Sequence, residues 1–253
     1  MAFQDRRRAS QSLYVYRLID YQLICSFKLI SDDRGDKVGY SDELRRQADG
    51  IWKEIFEHPF LQELKAGTLP LAKFRYYLGQ DWHYLDVFAR AVGAAISKAR
   101  NTQTLEDLAD RVLRPVEKPL HRKLGELLQI DPIHLIAARP APTNLAYINH
   151  LLATAAHGSM GEVAAALLPC PWTYHEIGQR IGEVSHPAYG QWADFYASGI
   201  LDESVGAWRR LVDEAASTAN AGERATMAEA FLLSSRYEYL FWEMAYRQEE
   251  WPI

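Results

Sequence analysis

The sequence predicts an all-α protein. Apolar residues recur with helical period from Ser41 onward, caps and stops stand at the segment boundaries, and no alternating Val/Ile/Thr-rich run occurs after residue 40. With 253 residues, 48% of them hydrophobic, the chain can bury a full core without disulfides or a structural metal.

Residues 1–40 stand apart. They hold seven Lys or Arg against five Asp, whereas the rest of the chain holds 21 against 28. The run SLYVYRLIDYQLICSFKLI, residues 12–30, has β-like composition, and the SDDRGDKVGYSD after it is a polar connector. Residues 1–40 therefore read as an N-terminal extension: an arm, an oligomer contact or translated upstream sequence. Residues 41–253 read as one helical domain.

Ser41, followed by Asp42 and Glu43, can cap a helix over 41–57 and complement its dipole. Pro59 suits the first turn of 59–66, Gly67 its stop, and Pro70 the start of a long helix over 70–100 with a break. Helices follow over 103–129 and 142–157. Ser159-Met160-Gly161-Glu162 has the spacing of a capping box and opens 159–182; helices over 186–198, 200–219 and 222–249 complete the chain.

Charge and cysteine usage exclude several function classes. A net charge of −5 argues against an affinity built on phosphate neutralisation, so nucleic acid is not an expected partner. No apolar run reaches the ~20 residues that cross a bilayer. The Arg6-Arg7-Arg8 cluster precedes no clean apolar core, because Arg17, Asp20 and Lys28 interrupt the candidate, so no secretory signal or membrane partner is expected. Cys25 and Cys170, far apart, resemble neither a disulfide framework nor a zinc site. A reducing cytoplasm fits.

Polar residues on apolar helix faces carry the functional signal. Leu78, Asp81, Leu85, Phe88 and Val92 share one stripe, which turns Asp81 inward and leaves Asp86 solvated. Glu238 falls in line with Phe231, Ser234, Phe241, Trp242 and Ala245, while Glu243 and Arg247 have the spacing of a surface pair. Carboxylates taken out of water need partners, or a proton held by a raised pKa. Val163, Leu167, Cys170, Tyr174, Ile177 and Ile181 form a third stripe, with Cys170 between Pro169 and Pro171. Neither proline can donate a backbone hydrogen bond, so the helix should kink or unwind at the thiol. Tyr84, Tyr147 and Tyr196 can add hydroxyls to a pocket there.

Each of these has a plainer reading: a small core cysteine, carboxylates held in structural bonds, core tyrosines. Their coincidence on inward faces of several helices is what suggests a closed polar pocket. A di-iron site would want Glu-x-x-His twice, and the chain has Glu183-x-x-His186 once, in an expected loop. Glu117 and His121, four apart on a helix, equally fit a surface or second-shell pair. Haem through His83 or His121 has no specific support, and neither a phosphate-cradling glycine loop nor a Gly-x-Ser-x-Gly elbow occurs. No metal or cofactor is expected.

Five blocks in order, HPFLQELKAGTLPLAKFRYYLGQDWHYLDVFARA, APTNLAYINHLL, AAALLPCPWTYHEIG, HPAYGQWADFYAS and SSRYEYLFWEMAYR, resemble the TenA/thiaminase II family over about residues 42–251. The resemblance implies a haem-oxygenase-like helical bundle without haem or metal, commonly a homotetramer. It implies hydrolysis of 4-amino-5-aminomethyl-2-methylpyrimidine, and more weakly of thiamine, to hydroxymethylpyrimidine for thiamine salvage. Cys170 stands at the family's nucleophile, Glu238 at its proton donor, and Tyr84 at a tyrosine that sharpens the thiol. Asp81 stands at the anchor for the aminopyrimidine amine, with Tyr147, Tyr174 and Tyr196 at other substrate-binding positions. Cys170 must then supply a thiolate near neutral pH or lose its proton during attack. Pro171, where the family has an aromatic, departs from the pattern, and residues 1–40 have no counterpart. The rivals are a relative acting on another aminopyrimidine, a non-catalytic pyrimidine-binding or regulatory protein, and a di-iron oxygenase on the same fold.

Overall fold

The computed structural model describes residues 38–253, Arg114 excepted, and Gly39–Ile253 form a compact unit. The extension expected over 1–40, with Cys25, lies outside the described residues except for its last three. Among the described residues there are thirteen helices and no strand.

The described residues open with α1 (Tyr40–Gln47) and α2 (Asp49–Phe56), which replace the single helix expected over 41–57. The junction at Ala48 precedes Asp49-Gly50, two poor interior helix formers. Ser41 is not the cap. Gly39 occupies that place and donates to Asp42 Oδ2 at 3.2 Å, while buried Ser41 gives its amide and hydroxyl to Asp213 at 2.7 and 3.1 Å. Pro59 opens α3 (Pro59–Lys65), and Gly67 stops the chain beyond it with φ +73°.

Helix α4 (Leu71–Ile96) runs unbroken, against the expected interruption, because it contains no proline and tolerates Gly79 and Gly93. The helix expected over 103–129 divides into α5 (Thr102–Leu113) and α6 (Glu117–Leu127) around Pro115. A short α7 (Pro132–Ala137) was not anticipated, although its signals are in the sequence: Pro132 in the first turn, and an Asp131 side chain accepting from the Ile133 amide at 2.9 Å.

Next come α8 (Pro142–His157), α9 (Met160–Leu167) and α10 (Pro169–Ile181). The capping box at Ser159 and Glu162 forms with both reciprocal bonds. The expected kink divides 159–182 at Leu168, and Pro169 and Cys170 become the first two residues of a new helix. The chain ends with α11 (Pro187–Ala197), α12 (Asp202–Thr218) and α13 (Ala221–Arg247).

Helix α13 is central, packing against α2, α4, α8, α9 and α10, while α4 also packs along α6 and α8 and α10 lies on α11. Burial of whole aromatic faces supplies most of the driving force: Trp52, Tyr77, Trp192, Trp208 and Trp242 are fully enclosed. At Gly178 the α10 backbone meets α11 so closely that a Cβ would stand 2.2 Å from the Tyr196 carbonyl. That approach brings Tyr174 and Tyr196 ring to ring, 4.9 Å apart.

Candidate active site

The kink sets the position of the thiol. With Leu168 at the N-cap of α10, the first-turn amides would be those of residues 169, 170 and 171, but two of these are prolines with no N–H. Cys170 therefore brings the first turn's own amide to a helix N-terminus, where partial positive charge favours an anion. Pro171 sits inside this turn rather than in a loop, so it removes a donor and no side-chain group. Cys170 is 6% exposed.

Tyr84, one turn along α4 from Asp81, faces this thiol. Its hydroxyl has no partner of full hydrogen-bond geometry, yet it is close enough to stabilise the thiolate. Opposing forces are larger. Burial pushes the Cys170 pKa well above its ordinary value, and the charges of Glu238 and Glu117 push the same way. The resting group is a neutral thiol. A resting thiolate is what this environment disfavours.

Glu238, 3% exposed on α13, accepts from the Tyr147 hydroxyl at 2.6 Å through Oε1, while Oε2 lies 3.3 Å from Thr173 Oγ1. Thr173 Oγ1 is also 3.1 Å from the Cys170 carbonyl. Tyr147 donates to Oε1, and the Thr173 hydroxyl is shared as a donor between Oε2 and the Cys170 carbonyl. Burial raises the Glu238 pKa to about 8, against the pull of its bonds to Tyr147 and Thr173. At neutral pH Glu238 holds a proton beside the thiol.

Asp81, 3% exposed, lies 3.4 Å from the Tyr77 hydroxyl, which also meets Tyr174 at 3.2 Å and receives the Trp192 N–H at 3.3 Å. His121 Nε2 comes within 3.0 Å of Asp81 Oδ2, but out of line for a hydrogen bond. Both of its ring nitrogens lack a hydrogen-bond partner although the residue is fully buried. Tyr196 donates to Glu117 at 3.0 Å, and burial together with the charge of Asp81 raises the Glu117 pKa to about 7. Tyr84 and Tyr147 pack ring to ring at 5.0 Å.

Thus Asp81, Tyr84, Tyr147, Cys170, Tyr174, Tyr196 and Glu238 converge from α4, α8, α10, α11 and α13. Thr173, Tyr77, Trp192, Glu117 and His121 join them without having been singled out for the pocket. The last two are not a plain surface pair: His121 is fully buried and Glu117 half-buried and bonded to Tyr196. Their signal was legible: Glu117, Leu120, His121 and Leu124 share the helical stripe already used for Asp81 and Glu238. His186 is spent as a cap, accepting from the Tyr189 amide at 3.5 Å, and Asp86 is exposed and paired with Lys118. Among the described residues, no three His, Cys, Asp or Glu side chains are arranged to hold a metal ion. A cleft of about 530 Å³ reaches Cys170 and Pro171 from the surface between α4, α5, α6 and α12.

Chemically, the pocket offers a nucleophilic sulfur, a protonated carboxylic acid beside it, a second carboxylate held for a donor, and aromatic faces for a flat ring. The sequence matches the model of the TENA/THI-4/PQQC family over residues 45–248. A Bacillus subtilis protein named aminopyrimidine aminohydrolase is 37% identical over 216 residues, spanning 84% of this chain and 92% of its own length. One of the same name from Halalkalibacterium halodurans is 34% identical over 220 residues, spanning 85% and 98%. Among solved structures, a TenA homologue from P. horikoshii OT3 superposes with a TM-score of 0.75 at 36% identity, covering 83% of this chain and 99% of its own. A Shewanella denitrificans domain described as having a haem-oxygenase-like fold, at 13% identity and a TM-score of 0.66, supports the fold alone.

Proposed function

The chain belongs to the TENA/THI-4/PQQC family, and from that premise we propose that it is an aminopyrimidine aminohydrolase with Cys170 as its nucleophile. It hydrolyses 4-amino-5-aminomethyl-2-methylpyrimidine, and thiamine more weakly, to hydroxymethylpyrimidine for thiamine salvage. The observation that carries this reading is a protonated Glu238 and a Tyr84-faced thiol in one buried aromatic pocket.

Asp81 accepts from the exocyclic amine of the pyrimidine, and Tyr147, Tyr174 and Tyr196 enclose the ring. The Cys170 sulfur adds to a ring carbon as its proton passes to water in the cleft that reaches the thiol, to be regained when the sulfur is expelled, and the adjacent ring nitrogen takes the proton of Glu238. The electron pair gained by the ring expels ammonia from the protonated aminomethyl group, leaving an exocyclic C=C bond. Water adds across it to give the hydroxymethyl group, Glu238 recovers its proton, and expulsion of the thiol restores the aromatic ring. One water is consumed and one ammonia released. A raised pKa suits Glu238 to donate and recover a proton near neutrality.

The experiment is product formation from both substrates by wild type, Cys170→Ser and Glu238→Gln. Hydroxymethylpyrimidine from wild type, with a loss of ~100-fold or more in each variant, is the expected result. Tight pyrimidine binding without product would favour the non-catalytic reading.

Three coarser features complete the proposal. No described helix is long and apolar enough to cross a membrane, and the reading places the protein in the cytoplasm without a nucleic-acid partner, as its net charge of −5 supports. A homotetramer is expected from the family and is tested by sedimentation equilibrium. Residues 1–40 are proposed as an appended segment, since the family match begins at residue 45; the intact mass of the natural protein tests it.

A further inference from the structure

The reaction proposed above uses Asp81 and Glu238 and leaves a third carboxylate, the half-buried Glu117, without a part. Glu117 enters the pocket from α6, bonded to the neutral hydroxyl of Tyr196 at 3.0 Å. Both Glu117 and Cys170 border the cleft that opens to solvent, whereas Asp81 and Glu238 do not. Glu117 is also the second charged group, after Glu238, that bears on the thiol.

The charge balance of the pocket is one-sided. The main charged neighbours of Cys170, Glu117 and Glu238 are one another and Asp81, with His121 the exception and no lysine or arginine among them. Phenols and a threonine hydroxyl satisfy the carboxylates, and these carry no charge. His121, fully buried with both nitrogens lacking hydrogen bonds, marks the same region as built for a further polar occupant. The cleft repeats the sign: Asp86, Asp107, Asp110 and Glu203 line it against Arg111 and Lys118, and Lys118 is paired with Asp86. Such walls concentrate cations and repel anions.

We propose that Glu117 is a specificity-determining residue that makes this pocket prefer a pyrimidine bearing a cationic 5-substituent, the ammonium of the aminomethyl substrate, over the neutral hydroxymethyl product. The inference rests on the aminohydrolase reading. An alkylamine on the methylene is protonated near neutral pH and the hydroxyl that replaces it is not, so turnover itself removes the charge that the pocket holds. Substrate is drawn in and product is let go by one group. The quaternary thiazolium of thiamine carries the same sign and passes; a phosphorylated substituent meets the acidic cleft and is disfavoured.

Calorimetric titration of the full chain tests this, with Cys170→Ser used to prevent turnover and 4-amino-5-aminomethyl-2-methylpyrimidine and hydroxymethylpyrimidine as the ligands. The Cys170→Ser protein should bind the aminomethyl compound ~10-fold or more tightly than the hydroxymethyl one. Adding Glu117→Gln, which keeps an acceptor for Tyr196, should remove most of that preference while hydroxymethyl affinity stays within ~3-fold. Glu117→Asp, which keeps the charge, should retain the preference. An unchanged ratio in Glu117→Gln, or parallel loss of both affinities, overturns the proposal. Equal affinities in Cys170→Ser alone overturn it even if the Gln variant does not fold. Binding of neither pyrimidine would instead sink the aminohydrolase reading, and this inference with it.

Discussion

Two adjacent residues on α4, Gln80 and Asp81, are buried to the same degree, 4% and 3% exposed, and do opposite things. Gln80 uses both ends of its amide: Nε2 donates to the Arg139 carbonyl at 2.9 Å, and Oε1 accepts from the Ala141 amide at 2.9 Å and from Asn144 at 3.0 Å. Asn144 also donates to the Gln80 carbonyl, and only its Oδ1 is left over. On Asp81's side lie a tyrosine hydroxyl and a histidine that lack full hydrogen bonds, a thiol pushed toward neutrality, and two carboxyls titrating at about 7 and 8. One network closes the loop between α7 and α8; the other leaves polar groups unmatched, as a pocket awaiting a ligand must. Burial alone does not distinguish a site from a strut, but satisfaction of the buried groups does.

The contrast breaks most sharply under mutation. Cys170→Ser should lose ~100-fold or more in kcat while its thermal unfolding stays near wild type. Gln80→Leu should do the reverse. Stranding the Ala141 amide, an Asn144 donor and the Arg139 carbonyl should cost about 2–4 kcal/mol, seen as a lower unfolding midpoint, while folded protein retains most of its turnover. Equal effects of both substitutions on activity and stability would dissolve the distinction.

A smaller effect comes from pH. Glu238 has a raised folded-state pKa of about 8, so its stabilising contribution is complete below about 4.5 and is lost as pH rises through about 8. The unfolded chain gives up this proton first. Glu238→Gln removes the titration and should raise the melting temperature at pH 9 by ~5–10 °C relative to wild type, with little change at pH 5. A melting difference independent of pH would contradict a proton held in the folded state. Smallest is Tyr84→Phe, which removes a neighbour that lowers the Cys170 pKa. It should slow turnover ~10-fold with little change in KM.

The sequence carried the α-helical class and most of the site because periodicity reports which face a residue takes. Asp81, Cys170 and Glu238 were legible as polar groups on apolar stripes. What spacing could not carry was where a helix divides. The junctions at Ala48 and Pro115 follow from Asp49-Gly50 and Pro115, and the unbroken α4 from its lack of proline, all backbone chemistry rather than apolar period; the break at Leu168 alone is expected, from Pro169 and Pro171. The identity of the unmatched partners was equally hidden. Thr173 reads as an ordinary helix residue until its hydroxyl is seen between the Cys170 carbonyl and Glu238. Glu117 and His121 admit a surface reading until α6 is laid against α4.

The central claim is that burial holds a proton on Glu238 beside a neutral thiol. It is tested most directly by the dependence of kcat/KM on pH, from 5 to 10, for hydrolysis of 4-amino-5-aminomethyl-2-methylpyrimidine by wild type and Glu238→Gln. Wild type should lose activity on the alkaline side with an apparent pKa near 8, and that limb should be missing from the residual activity of the variant. A wild-type profile that stays flat to pH 9.5, or the same alkaline limb in both proteins, would contradict the account.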